Sequence, residues 1–184
     1  MTLVPALAGA QSAMKPAAEK ATAHRANELT LAGLRPGRDN LEKAAELNGK
    51  FGKKGTTDGA QTEWHDVCRD VSLTVDSDRA KRIQVIRTGL WEGSPADCSK
   101  MPPGPWKTGL GLRVGDSTAK VAQLYGAPDS KSPSTKDGQP LELWYYAFDW
   151  AGENVPQVME VLCTREADGK PGRVVEITLA APSL

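Results

Sequence analysis

An internal repeat is the feature that most constrains how this chain folds. Leu34-Arg35-Pro36-Gly37 recurs as Leu112-Arg113-Val114-Gly115, and a short segment of helical composition follows each copy. Both segments end in the same Ala-x-Leu-x-Gly pattern, once at Ala45–Gly49 and once at Ala122–Gly126. Glycine commonly terminates helices, and self-similarity at a fixed spacing indicates duplicated structural units. The sequence therefore predicts two copies of one unit in tandem.

Each copy shows the same succession of predicted elements. The first helix is expected to begin after Asp39, an N-cap residue with Glu42 three residues on, and the second after Ser117 or Thr118. A loop rich in Gly, Ser, Thr and Lys follows, at 52–59 in the first copy and at 128–140 in the second. Apolar runs then predict strands. In the first copy a charged turn at 76–79 leads to a strand that includes Ile83, and in the second copy the predicted strands are 158–164 and 174–179. The predicted fold class is α+β, with two tandem units that are each a short helical segment packed on an antiparallel β meander.

Composition divides the 184 residues into four predicted segments. They are a signal-peptide remnant at 1–15, a first unit with an Ala-rich leader at 16–88, a Pro/Gly-rich linker at 89–109 and a second unit at 110–184. The linker carries Trp91 and Trp106. Two tryptophans expose much apolar area if they stay in water, so we expect the linker to pack across the boundary between the units.

The first ten residues indicate export. Leu3–Ala10 is apolar and ends in Ala-Gly-Ala, which fits a signal-peptidase site, and Ala13 offers a second site. The first charged residue is Lys15, so this segment resembles the back half of a signal peptide. The alternative is a frayed apolar tail. The predicted localisation is periplasmic or secreted.

Three cysteines leave the pairing open. Cys68, Cys98 and Cys163 are an odd number of thiols, so at least one has no partner within the chain. Export would favour one disulfide, with Cys98 as the favoured partner of one of the other two. Three unpaired thiols are the alternative.

Several functional classes find no support in the sequence. Lys+Arg and Asp+Glu both number 23, whereas nucleic-acid binders usually carry a basic excess. No apolar run approaches the roughly 20 residues of a membrane span. No motif for a metal, a cofactor or a phosphate loop occurs, so none of these ligands and no catalytic residue is predicted. His24 and His65 are the only histidines. His65 lies near Asp66 and Cys68 in the sequence. The alternative hypothesis to a non-catalytic protein is therefore a hydrolase that uses His65.

The segment from Leu141 to Trp150 carries an unusual aromatic pattern. On a strand, side chains alternate between two faces, so four aromatic residues share one face: Trp144, Tyr146, Phe148 and Trp150. Either this stripe packs on the helices as core, or it faces outward as a partner-binding surface. We predict the second, because tryptophan and tyrosine dominate binding hot spots.

The order of these motifs resembles a known family. Leu112–Ser117, Leu124-Tyr125-Gly126-Ala127-Pro128 and Trp144-Tyr145-Tyr146 are similar to the SmpA/OmlA (BamE-like) domain. The doubled arrangement is similar to the tandem fold of secreted β-lactamase inhibitor proteins. The first copy departs from the pattern, because Gly49 is followed by lysine and no proline. The resemblance covers about 150 residues.

The resemblance implies export, helices on one face of a sheet and protein binding on the other. It brings no catalytic residues with it. The predicted function is therefore a non-catalytic protein-binding module of the cell envelope, whose partner is another protein or an envelope component. A hydrolase and a purely structural envelope component are the alternatives.

Overall fold

A single antiparallel sheet dominates the computed structural model, which describes residues 30–55, 60–91, 106–149, 156–165 and 169–182. The first half of the described chain contains α1 (Leu41–Asn48), β1 (Gly52–Gly55), β2 (Gln61–Asp66), β3 (Val71–Ser77) and β4 (Ile83–Leu90). The second half contains α2 (Thr118–Tyr125), β5 (Ser130–Lys136), β6 (Gln139–Asp149), β7 (Pro156–Thr164) and β8 (Val174–Ala180). None of the described helices is long and apolar enough to cross a membrane.

The strand order corrects the predicted fold class. The eight strands are ordered β1-β2-β3-β4-β8-β7-β6-β5 and all neighbours are antiparallel. Strand makes up 51% of the described structure and helix 13%, so the prediction of two helix-on-meander units is wrong. The join is between β4 and β8, where Thr88 is paired with Ile177. A free meander would leave an unpaired edge at each of these strands, and pairing them removes both edges.

The two Leu-Arg-x-Gly segments nevertheless make matching contacts. The Gly37 amide donates to the Ile83 carbonyl at 2.6 Å, and the Gly115 amide donates to the Val174 carbonyl at 2.8 Å. Ile83 and Val174 are the first residues of β4 and β8. Both glycines have positive φ, 73° and 87°, which favours glycine over other residues. These contacts support an internal repeat, while the four segment boundaries stay a prediction.

The helix starts differ by one residue from the prediction in the first copy. Asn40 caps α1 and accepts from the Lys43 amide at 3.0 Å. Asp39, the predicted cap, instead accepts from the Arg35 amide at 2.8 Å and from Lys43 Nζ at 2.9 Å. Ser117 caps α2, as one of the two predicted alternatives. Asp39 therefore ties the repeated Leu-Arg-x-Gly segment to the helix.

Both outermost strands lie in segments predicted to be loops. Among the described strands, β1 and β5 each pair with one neighbour only. The sequence of β5 is Ser-Lys-Ser-Pro-Ser-Thr-Lys. Polar residues and proline are typical of edge strands, where they discourage pairing with other chains. Pro133 lies in β5 opposite Glu142. Such a strand lacks the apolar alternation by which strands are recognised in a sequence.

The main core lies between the sheet and the helices. Its largest fully buried side chains include Trp64, Leu73, Ile86, Met159 and Ile177 from the strands, together with Leu31, Leu34 and Leu112. Ala44 of α1 and Val121 and Tyr125 of α2 belong to the same cluster. The helices therefore cover one face of the sheet.

Residues of the predicted linker take part in this core. Trp106 is buried, its ring centroid lies 4.8 Å from that of Phe51, and its Nε1 donates to Asn48 Oδ1 at 2.8 Å. Thr108 accepts from the Tyr125 hydroxyl at 2.6 Å. The end of this segment thus contacts residues of both predicted units.

The described cysteines are in two different states. Cys68 is disulfide-bonded and Cys163 is a buried free thiol. Cys98 lies outside the described residues, as does the predicted signal remnant. The pKa of the Cys163 thiol is raised to about 12, mainly by burial and also by the neighbouring Glu142 carboxylate, while Lys131 lowers it.

Candidate binding cleft

The aromatic stripe of β6 faces the helices. Trp144, Tyr146 and Phe148 are 6%, 0% and 2% exposed. The Tyr125 ring of α2 lies 5.8 Å from Tyr146 and 6.1 Å from Phe148. The prediction of an outward-facing stripe is therefore wrong for these three residues, and Trp150 lies outside the described ones. Large aromatic rings bury the most apolar area, and in this sheet they lie on the face that the helices cover.

Two charged side chains contact the indole ring of Trp144. Lys131 Nζ lies 3.7 Å above the centre of its ring, and Nε1 donates to Glu142 Oε2 at 2.5 Å. Glu142 also lies 3.6 Å from Lys131 Nζ. The indole N–H is thus satisfied within the protein, as buried tryptophans usually require.

The other face of the sheet carries no described helix. Strand registers place two rows of side chains across its centre, one of them Leu143, Leu162, Glu176 and Gly89. The second row consists of Tyr145, Glu160, Thr178 and Arg87. A small apolar cluster of Leu141, Leu162, Val175 and Leu143 accompanies them. We call this surface the helix-free face.

A single ion pair shows that the helix-free face is concave. Lys136 of β5 reaches Glu176 Oε2 of β8 at 2.6 Å, although β6 and β7 lie between these strands. Strands lie about 4.8 Å apart, so a flat sheet would place β5 about 14 Å from β8. Lys136 also lies four residues along β5 from Ser132, the residue in the row of Glu176, so the two Cα atoms would be about 19 Å apart in a flat sheet. That is more than an extended lysine and an extended glutamate side chain span together. The β5–β6 hairpin therefore curls over the helix-free face.

This curl creates a cleft of about 180 Å³. Residues from four strands line it: Ser134, Leu143, Glu160, Leu162, Glu176 and Thr178. The leucines form apolar walls, and the remaining side chains supply hydroxyl and carboxylate oxygens. We call this site the sheet cleft.

The two carboxylates of the sheet cleft differ in their surroundings. Glu176 has two cations, since Lys136 Nζ lies 2.6 Å from Oε2 and Arg87 Nε lies 3.3 Å from Oε1. Glu160 is partly buried, and none of the described cations lies within 4 Å of it. A carboxylate is costly to desolvate without a partner. Glu160 is therefore the charged group of this cleft that no described cation neutralises.

The residues proposed for hydrolysis are not brought together. His65 stacks on Trp91 with ring centroids 4.1 Å apart, and its Nε2 lies 3.2 Å from Glu63 Oε2 in a geometry that makes no hydrogen bond. Asp66 alternates to the opposite face of β2, where it is buried and bonds Arg69. Cys68 is disulfide-bonded, so it offers no free thiol. Within the described ranges, no three His, Cys, Asp or Glu side chains could together hold a metal ion.

Sequence reasoning missed the sheet cleft, although one signal was present. Glu160 and Glu176 are lone acids within the otherwise apolar predicted strands 158–164 and 174–179. Each lies on the parity that faces away from the core. No family model, curated protein or solved structure matches the chain, so function has to be inferred from the cleft itself.

Proposed function

We propose that this chain is an exported, non-catalytic protein-binding module of the cell envelope, and that its partner docks on the helix-free face. The observation that carries the proposal is the sheet cleft, in which Glu160, paired with none of the described cations, lies beside Leu143 and Leu162. Apolar side chains with a few placed polar groups are what a binding site offers. The main hydrophobic core, by contrast, lies on the other face of the sheet, between the strands and the helices.

The dimensions of the helix-free face favour a macromolecule. Eight strands at about 4.8 Å spacing would span about 34 Å before curvature. Stable protein interfaces bury about 800 Å² on each partner, and a face of this width offers such an area. The sheet cleft alone, at about 180 Å³, is below the roughly 300–1,000 Å³ of small-molecule sites.

Two features support export. Cys68 is disulfide-bonded, and disulfides persist mainly in oxidising compartments. The apolar run Leu3–Ala10 fits the end of a signal peptide. The resemblance to SmpA/OmlA domains implies the same location and a protein partner.

Affinity capture with matched variants tests the proposal. Full-length protein would be immobilised as the wild type, as Glu160→Arg and as Glu46→Arg, and exposed to the native envelope fraction. Glu46 is an exposed residue of α1, so its reversal changes net charge equally without touching the helix-free face. We expect quantitative mass spectrometry to find a protein captured by the wild type and by Glu46→Arg, and at least tenfold less of it on Glu160→Arg. Equal capture by all three would contradict the proposal.

Export has its own test. The protein made from its full gene should be recovered outside the cytoplasm with an N-terminus near Ala10 or Ala13. Cytoplasmic protein with an intact N-terminus would contradict this part of the proposal.

A further inference from the structure

We infer that the sheet cleft receives a lysine or arginine side chain of the partner protein and pairs it with Glu160; this rests on the proposed function and specifies its chemistry. Among the described residues, no cation pairs with the Glu160 carboxylate, whereas the carboxylate of Glu176 already has Lys136 and Arg87. A basic side chain that entered the cleft would supply the missing charge.

The charges of the helix-free face point the same way. Among the side chains described on it, the carboxylates are Glu63, Asp76, Glu160 and Glu176, and the full cations are Arg87 and Lys136. Within this described set, four negative and two positive charges leave an excess of two negative charges. Such a surface attracts basic partners and repels acidic ones.

The shape of the cleft selects long basic side chains. Leu143 and Leu162 wall the cavity, and Glu160 supplies the charge. Lysine and arginine combine an apolar stem with a charged tip, so the stem can contact the leucines while the tip meets the carboxylate. An aliphatic side chain would bury Glu160 without a partner, and an acidic one would be repelled by it.

The helix-free face already contains an intramolecular lysine–carboxylate pair of this kind. Lys136 extends over the same concave face and places its ammonium 2.6 Å from Glu176. Gly89 lies directly opposite Glu176, and a Cβ there would come within 3.3 Å of Oε2. The glycine thus leaves room for the ion pair. Glu160 is on the neighbouring row and offers an equivalent acceptor to a second, external cation.

Short peptides provide the direct test. The probes are Ac-Gly-Gly-X-Gly-Gly-NH₂ with X as lysine, arginine, norleucine or glutamate, titrated into isotope-labelled full-length protein. NMR would follow the methyl groups of Leu143 and Leu162 and the amide of Glu160. We expect saturable shifts at these three residues with the lysine and arginine peptides, with dissociation constants in the millimolar range. The norleucine and glutamate peptides should bind at least tenfold more weakly.

Matched variants identify the carboxylate. Glu160→Gln should weaken binding of the lysine peptide about tenfold, since hydrogen bonds to a charged acceptor are roughly twice as strong as neutral ones. Glu46→Gln on the exposed side of α1 should leave it unchanged. Equal binding of lysine and norleucine peptides, shifts away from the cleft, or no saturable shift would each overturn the inference.

A third variant separates this inference from the proposed function. Thr178→Trp would fill the sheet cleft, and its thermal unfolding would confirm that it folds. If this variant loses the captured protein while Glu160→Gln retains it and the peptides fail to bind, the inference is wrong and docking on this face stands. If the peptides bind but capture is independent of both variants, the cleft accepts cations and the proposed function is wrong.

Discussion

Replacement of Trp144 with alanine tests whether the aromatic side of β6 belongs to the core. The side chain is 6% exposed, and a tryptophan buries about 150–250 Å². At about 25 cal/mol per Å² this area corresponds to about 4–6 kcal/mol, an upper limit because unfolded chains already bury part of it. Core Phe/Trp→Ala changes cost about 3–5 kcal/mol. We therefore expect the free energy of unfolding to fall by about 3–5 kcal/mol.

Urea denaturation followed by circular dichroism measures this loss, and a thermal scan should show a melting temperature lower by about 6–20 °C. Leu110→Ala is the control, because Leu110 is 55% exposed and its loss should cost less than about 0.5 kcal/mol. A cost below about 1 kcal/mol for Trp144→Ala, with an unchanged urea dependence, would refute the assignment of this face to the core.

Three further predictions concern buried polar groups. Gln157 is fully buried, and neither of its amide atoms has a hydrogen-bond partner in the described structure. Gln157→Met should raise the free energy of unfolding, measured in urea, by about 1–3 kcal/mol, while Gln123→Met at an exposed position of α2 should change it little. Burial alone would raise the pKa of Asp39, but hydrogen bonds from Lys43 and Arg35 lower it below its ordinary 3.8. Its stabilisation is therefore present above pH 4 and lost as the pH falls through the lowered pKa, so the stability difference between wild type and Asp39→Asn should narrow in acid. Because the pKa of Cys163 is raised to about 12, the thiol should resist iodoacetamide near pH 8 in the native protein and react after unfolding, as read by mass spectrometry.

Each of these outcomes has a clear contrary result. A Gln157→Met protein that is less stable than the wild type would show that the amide has a partner. A stability difference for Asp39→Asn that is constant from pH 7 to pH 2 would show that the carboxylate is not stabilised by its charge. Rapid labelling of native Cys163 would contradict its burial.

Local sequence patterns located most of the inner strands. The predicted strands 158–164 and 174–179 lie within β7 and β8, and Ile83 begins β4 as expected after the charged turn. Alternation of apolar side chains is a local property, so it is readable without knowledge of the fold. The polar edge strands β1 and β5 could not be recognised in this way, because an edge strand is stabilised by pairing with its neighbour and needs no apolar alternation of its own.

The same patterns placed Trp144, Tyr146 and Phe148 correctly on one side of β6, but the prediction that this side faces outward was wrong. Parity follows from strand geometry alone. Which parity faces inward depends on what packs against it, and here Tyr125 of α2 lies against Tyr146 and Phe148. The side of β6 that is buried is therefore determined by packing against α2, a helix separated from β6 in the sequence.

The repeat, the parity of the strands and, to within one residue, the helix caps can be recognised from short segments of the sequence. The joining of β4 to β8 and the curl that forms the sheet cleft cannot. They depend on pairs such as Thr88 with Ile177 and Lys136 with Glu176, which lie far apart in sequence. Their energy is gained only after the chain between them has been ordered, so it depends on the packing of the whole sheet, which short-range patterns do not encode.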